Sequence, residues 1–192
     1  MGLWERLGQR SRLVRAAAAL VFALVVGGGL VIAGAAGLAW TDAEEFCIGC
    51  HEMRIPLAEA KDAVHDKNRS GVRASCPDCH VPREPVALIL RKMEATSELW
   101  GHLRGVIDTP EKYEKNRYAM AVREWTRMKK NGSQACRSCH RFESMDGEKQ
   151  SERAREQHAK ARTEDTACID CHFGIAHREP DGPGPREIKV AR

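Results

Sequence analysis

Four short cysteine frames, each closed by a histidine, constrain this chain more than any other feature. All eight cysteines fall within them: Cys47-Ile48-Gly49-Cys50-His51, Cys76-Pro77-Asp78-Cys79-His80, Cys136-Arg137-Ser138-Cys139-His140 and Cys168-Ile169-Asp170-Cys171-His172. Eight cysteines also fit four disulfides or zinc sites. Neither requires a histidine directly after every second thiol. The chain has 8 histidines in 192 residues, so four such placements by chance have odds of about three in a million. The frame C-x-x-C-H is the attachment site of c-type haem. Its two thiols can form thioethers to the vinyl groups of one porphyrin, and the adjacent imidazole can reach the iron. Four frames imply four covalently bound haem c groups and a protein of electron transfer.

A charge-free stretch runs from Ala16 to Trp40, AAAALVFALVVGGGLVIAGAAGLAW. It is long enough to span a bilayer as a helix and longer than the apolar region of a signal peptide. Arg6, Arg10, Arg12 and Arg15 precede it with only Glu5 opposing them, and Asp42, Glu44 and Glu45 follow. The positive-inside rule then places residues 1–15 in the cytoplasm, 16–40 in the inner membrane as a single uncleaved anchor, and 41–192 in the periplasm. Trp40 falls where an interfacial aromatic belongs. Gly27, Gly28, Gly29, Gly34 and Gly37 permit close helix approach, so the anchor is a candidate homodimer contact.

The formal net charge of +4 sits mostly in the first fifteen residues. The rest of the chain is close to neutral before haem propionates add negative charge, which argues against nucleic acid as a partner. Residues 41–192 have few aromatics and no long apolar strand, too little for an ordinary core. The expected fold class is mainly α: one N-terminal transmembrane helix followed by a small, loop-rich helical domain organised around four c-type haems. Frames one and two start 29 residues apart, and frames three and four 32 apart. The second and fourth share C-x-D-C-H, as a duplicated two-haem unit would.

Within this domain, Pro85 to about Arg104 reads as a helix, with Leu88, Lys92, Ala95, Leu99 and Leu103 on adjacent turns. Thr109 is the expected N-cap and Pro110 the first residue of a second helix. That helix carries Tyr113, Met120, Ala121, Trp125 and Met128 as a packing stripe. The tail 178–192, REPDGPGPREIKVAR, has the composition of a mobile segment. Outside the frames the histidines are His65, His102, His158 and His177. Counting alone permits four bis-histidine haems if none is idle.

The stretches FCIGCHEMR (46–54), NRSGVRASCPDCHVP (68–82), GVIDTPEKY (105–113), ESMD (143–146) and TACIDCHFGIAHREPDG (166–182) resemble the NapC/NirT family of membrane-anchored tetrahaem quinol dehydrogenases. The similarity runs from the anchor to about Pro180, and the length matches members without a fused extra haem domain. The resemblance implies axial ligands residue by residue. His177 matches the partner of His80 at the second haem, His65 that of His140 at the third, and His158 that of His172 at the fourth. At the first haem it favours Met53 as ligand, with His51 as the competing assignment and Met53 then packing. A thioether ligand raises the reduction potential relative to imidazole. His102 has no family counterpart and reads as an idle helical histidine.

The resemblance also places Lys92 and Glu98 beside the first haem as the quinol site. Quinol oxidation releases protons as well as electrons, so a carboxylate that takes a proton and a lysine that holds the quinone oxygen make chemical sense. Many relatives carry Asp where Glu98 stands. On residue chemistry alone the two are ordinary charges on a solvated helix face. The implied function is oxidation of membrane quinol, menaquinol or ubiquinol, with electrons passed to a periplasmic reductase or its cytochrome subunit. Nitrate reductase leads and nitrite reductase follows. The rival from another class is a terminal multihaem reductase acting on a small nitrogen or sulfur compound.

Overall fold

The computed structural model describes residues 3–164 and 166–190, with side chains from residue 11 onward. The side chains of Glu5, Arg6 and Arg10 and the last two tail residues lie outside the described residues. The chain divides into two units, Met1–Ala43 and Glu44–Arg192. All regular structure among the described residues is helical, as the apolar patterning predicts.

The first unit is one helix, α1 (Leu3–Asp42). Its segment Ser11–Asp42, 32 residues, is long and apolar enough to cross a membrane. At 1.5 Å rise per residue it would extend about 48 Å, against a hydrocarbon core of about 30 Å. Leu20, Val25 and Val31 are exposed along it, as lipid-facing side chains would be. The space beside Gly27, Gly28, Gly29, Gly34 and Gly37 is open.

The second unit contains α2 (Glu44–Ile48), α3 (Arg54–Asp62), α4 (Cys76–His80), α5 (Pro85–Leu103), α6 (Pro110–Lys130), α7 (Gln134–Arg137) and α8 (Glu152–Thr163), joined by loops and short 3₁₀ turns. Proline opens α5 and α6, where a missing N–H costs nothing. Thr109 caps α6 by accepting from the Lys112 amide at 3.3 Å. Both helices begin where the sequence predicts.

The apolar core is small. Trp125, Ala167 and Ile169 are its buried members, with Tyr118, Ala121, Val122, Met128, Phe173 and Ile188 packed around them. One face of α6 therefore rests on the fourth frame, whose first three residues form the 3₁₀ turn Cys168–Asp170. Leu99 and Leu103 of α5 behave differently, at 60% and 67% exposed. Their apolar stripe is not part of the protein core.

A strained turn ties the third frame to the fourth. Gly132 and Ser133 both adopt left-handed backbone at φ 61° and 58°, unfavourable for serine by about 1–3 kcal/mol. The conformation places the fully buried Ser133 so that its Oγ accepts from the Ile169 amide at 3.2 Å. That bond satisfies a buried donor, and α7 with the third frame starts at the next residue.

The tail departs from the expectation of mobility. Pro185 is fully buried, and Lys129 Nζ on α6 donates to the carbonyls of Pro185 and Ile188, both at 2.6 Å. Tyr118 Oη donates to Pro183 O at 3.2 Å. A Cβ at Gly182 would sit 2.6 Å from the Tyr118 ring, on backbone with φ 140°, so glycine is required there. Proline and glycine here shape a close wrap over α6.

Glu44 fastens the first two frames together. Its Oε1 accepts from Arg73 Nη2 at 2.6 Å and its Oε2 from the Cys76 amide at 3.1 Å. Burial pushes its carboxyl upward, but Arg73 and the Cys76 amide outweigh this and hold it below its ordinary 4.5. A carboxylate lowered by folding stabilises the protein above that ordinary value, and the contribution fades as pH falls through the lower folded one. Glu44→Gln is expected to cost about 1 kcal/mol at neutral pH, with the difference from wild type shrinking below pH 4.5. Thermal unfolding across pH checks this; a difference independent of pH would contradict it.

Candidate haem sites

The four frames occupy neighbouring elements in chain order. The first lies across α2 and the following turn, the second is α4, the third starts in α7 and the fourth in the turn Cys168–Asp170. Helix α2 packs on α4, and α4 on α7. The thiols of Cys47 and Cys76, of Cys79 and Cys139, and of Cys136 and Cys168 are close enough to interact. Among the described residues, one group of three or more possible metal donors converges, Cys50, Glu52 and His102.

The aspartate shared by the second and fourth frames has the same local role in both. Asp78 Oδ2 accepts from the Ser75 amide at 2.9 Å, and Asp170 Oδ2 from the Ala167 amide at 3.2 Å. Each closes the turn that presents its two thiols, satisfying a donor that the helix start leaves unpaired.

The histidines meet in pairs. Ring centres are 6.1 Å apart for His80 and His177, 6.1 Å for His65 and His140, and 5.9 Å for His158 and His172. A fourth pair, His51 and His102, is separated by 6.1 Å. A metal–imidazole bond is about 2 Å long, so two rings on opposite sides of one metal have centres about 6 Å apart.

The second ring nitrogen is held in most cases. His80 Nδ1 lies 3.2 Å from Glu124 Oε2, His158 Nδ1 2.7 Å from Gln150 Oε1, and His102 Nδ1 2.5 Å from Glu52 Oε1. His65 Nδ1 is 3.5 Å from Ile175 O; His177 Nδ1 is buried and makes no hydrogen bond, with Glu59 Oε2 3.8 Å away. Metal-binding histidines characteristically anchor one nitrogen in this way, which frees and orients the other. Burial raises Glu124, but the His80 ring and Arg127 hold it down to about 2. Burial, and then the nearby His80, push His177 below its ordinary value.

The sequence model of the NapC/NirT cytochrome c family, N-terminal region, matches residues 9–182. The chain belongs to this family. Cytochrome c-type protein NapC of Escherichia coli strain K12 is 50% identical over 184 residues, covering 93% of this chain and 90% of that protein. Denitrification system component NirT of Stutzerimonas stutzeri is 52% identical over 143 residues, 74% of this chain and 71% of the relative. Cytochrome c-type protein TorC of the same E. coli strain is 42% identical over 93% of this chain and 46% of the longer relative. No solved structure matches the chain significantly.

Membership in this NapC/NirT family implies covalently bound haem c, and the residues fit it. The eight thiols lie in attachment frames, and each frame histidine faces a second imidazole across a metal-sized gap. The remaining candidates are placed less simply. Met53 ends the 3₁₀ turn His51–Met53, its amide donating to Cys50 O at 3.1 Å. Lys92 and Glu98 share α5, but six residues of helix turn them about 120° apart around the axis, so they do not converge on one point. Glu98 instead meets Arg91 at 2.8 Å and lies one turn before His102 on the same face.

Sequence reasoning left out Glu52, Glu124 and Gln150, the groups that hold histidine nitrogens. It also set His102 aside. The available signal was arithmetic: eight histidines for four irons, with a glutamate immediately after the first frame.

Proposed function

We propose that this membrane-anchored cytochrome oxidises membrane quinol and delivers the electrons to a periplasmic reductase, with nitrate reductase as the leading acceptor. The observation that carries this reading is the similarity to NapC along nearly the whole chain, joined to four imidazole pairs beside four haem-attachment frames. NirT is as similar by identity but over a shorter stretch, so a nitrite-reducing acceptor is the second reading. Helix α1 crosses the inner membrane, with Arg12 and Arg15 on the cytoplasmic side and residues from Thr41 onward in the periplasm. Four haems, when bound, supply one-electron transfer.

The chain's own residues hold, orient and deprotonate. His80 and His177, His65 and His140, and His158 and His172 are the imidazole pairs that would hold the irons. Glu124 and Gln150 fix the ring angles of His80 and His158. Lys92 holds one quinol oxygen, and Glu98, held by Arg91 at 2.8 Å, takes a proton from the other hydroxyl. The two act from separate faces of α5, so each makes its own contribution. Glu98→Ala is expected to lower quinol oxidation about a hundredfold, the scale of a lost general base, and Lys92→Ala to raise KM for quinol. Both should retain their covalent haems by mass. Quinol-dependent reduction followed by haem absorbance in membranes is the readout, and normal turnover in both variants would remove the site assignment. Mixing the reduced protein with purified periplasmic nitrate or nitrite reductase, and timing its reoxidation, separates the two acceptors.

A further inference from the structure

Helix α6 reaches the second frame with two charged side chains one turn apart, Glu124 and Arg127. Glu124 Oε2 lies 3.2 Å from His80 Nδ1 and accepts from Arg127 Nη2 at 2.5 Å. Arg127 Nη1 donates to the His80 carbonyl at 3.0 Å. These contacts close a loop through imidazole, carboxylate, guanidinium and the backbone of the same histidine. Both ends of His80 are therefore held from one helix. That helix is fixed here, because Trp125 belongs to the apolar core and Lys129 is buried. The Glu124 and Arg127 side chains are 29% and 20% exposed, so solvent screens the pair only in part. Arg127 Nε is buried and makes no hydrogen bond. A carboxylate paired with a guanidinium has no proton to give, so Nδ1 of His80 carries the hydrogen and Nε2 keeps its lone pair. The fourth pair is held by a neutral group instead, with His158 Nδ1 2.7 Å from Gln150 Oε1.

We infer that Glu124 and Arg127 together set the reduction potential of the second haem through His80, the two charges acting with opposite sign. The inference rests on the haem reading above and deepens it. Glu124 is a positioning residue: a carboxylate accepting from Nδ1–H fixes the tautomer and raises the basicity of the opposite nitrogen. A more basic donor favours the oxidised metal, which lowers the potential. Arg127 works the other way. It shares the oxygen that holds the ring, which weakens that oxygen as an acceptor, and its positive charge favours the reduced metal. With both present, the ring is oriented while the local charge stays balanced. Removing either member tips the potential, in a direction given by the charge left behind.

The test uses the purified full-length holoprotein in detergent. Mass spectrometry counts covalent haems, and spectroelectrochemical titration with EPR resolves their potentials and spin states. His177→Ala should turn one haem high-spin, and the potential that disappears with it belongs to the second haem. A missing haem in the wild type, or no change in His177→Ala, defeats the haem reading and this inference with it. Glu124→Gln keeps the shape and strands the Arg127 charge. The second haem should then become easier to reduce, by about tenfold in its equilibrium, or about 59 mV for one electron. Arg127→Gln leaves the carboxylate uncompensated, and the same haem should become harder to reduce by a similar factor. Arg127→Lys keeps the charge and should stay near the wild-type potential. All three variants should remain low-spin, with the other potentials unmoved. A purely structural role would loosen the ring in either variant and give no opposed signs. Shifts of the same sign in Glu124→Gln and Arg127→Gln overturn the inference, as do equal shifts in every haem. Each variant has its own expected sign, so misfolding of one leaves the other to decide; no shift in the variant that folds also overturns it.

Discussion

Replacing Lys129 with methionine is expected to cost about 3–5 kcal/mol, the usual penalty for breaking a buried ion pair from one side. Lys129 is 6% exposed and Asp170 8%, and they meet at 2.7 Å. The ammonium also donates to the carbonyls of Pro185 and Ile188. Methionine matches the length of the side chain but satisfies none of these groups. It leaves the Asp170 charge buried inside the fourth haem frame. For a chain of this length the change corresponds to a fall in Tm of about 10 °C, read by circular dichroism. The tail should also become sensitive to protease after residue 180, since its two carbonyl anchors are gone. Asp170→Asn in the same background should recover part of the loss, because it removes the stranded charge. A Tm within about 2 °C of wild type would contradict the burial argument.

Arg117→Ala is expected to cost about 3 kcal/mol and to disturb the pairing of His80 with His177. The guanidinium is 6% exposed and grips Glu59 with two hydrogen bonds, at 2.6 and 3.0 Å. Glu59 in turn accepts from the Arg178 amide at 3.2 Å and lies 3.8 Å from His177 Nδ1. Arg117 thus fixes the carboxylate that faces His177. Its bonds to Glu114 contribute less, because that side chain is largely solvated. Arg117→Lys should rescue only a minority of the loss, since an ammonium cannot reproduce the two-pronged geometry. The checks are chemical denaturation and the share of haem that stays low-spin. Full rescue by lysine would show that charge alone matters there.

The sequence carried the attachment chemistry because it is local: two thiols and an imidazole within five residues need no tertiary contact to be recognised. Helix starts at Pro85 and at Thr109–Pro110 were legible for the same reason, since capping chemistry is written in adjacent residues. The juxtaposition of His65 with His140 and of His80 with His177 was not readable from spacing and came from family resemblance. His102 was passed over because a lone helical histidine is usually solvated, and only the fold shows it facing His51 across Glu52. Composition does not separate the tail's alternatives, because proline and glycine serve a mobile segment and a tight wrap alike. The clue to the wrap was Lys129, a cation in the last turn of α6 too buried to reach solvent. The strained Ser133 left no trace in the sequence, as its conformation is imposed by the need to satisfy the Ile169 amide.

The histidine pairs also impose an order of assembly. His80 is synthesised early, yet it faces a histidine that follows the last cysteine frame, and His65 faces one in the third. On the proposed reading, the thiols of the second frame would be available for attachment before residue 177, the imidazole opposite His80, had been made. Half of that site would then stand open for as long as the last hundred residues took to follow.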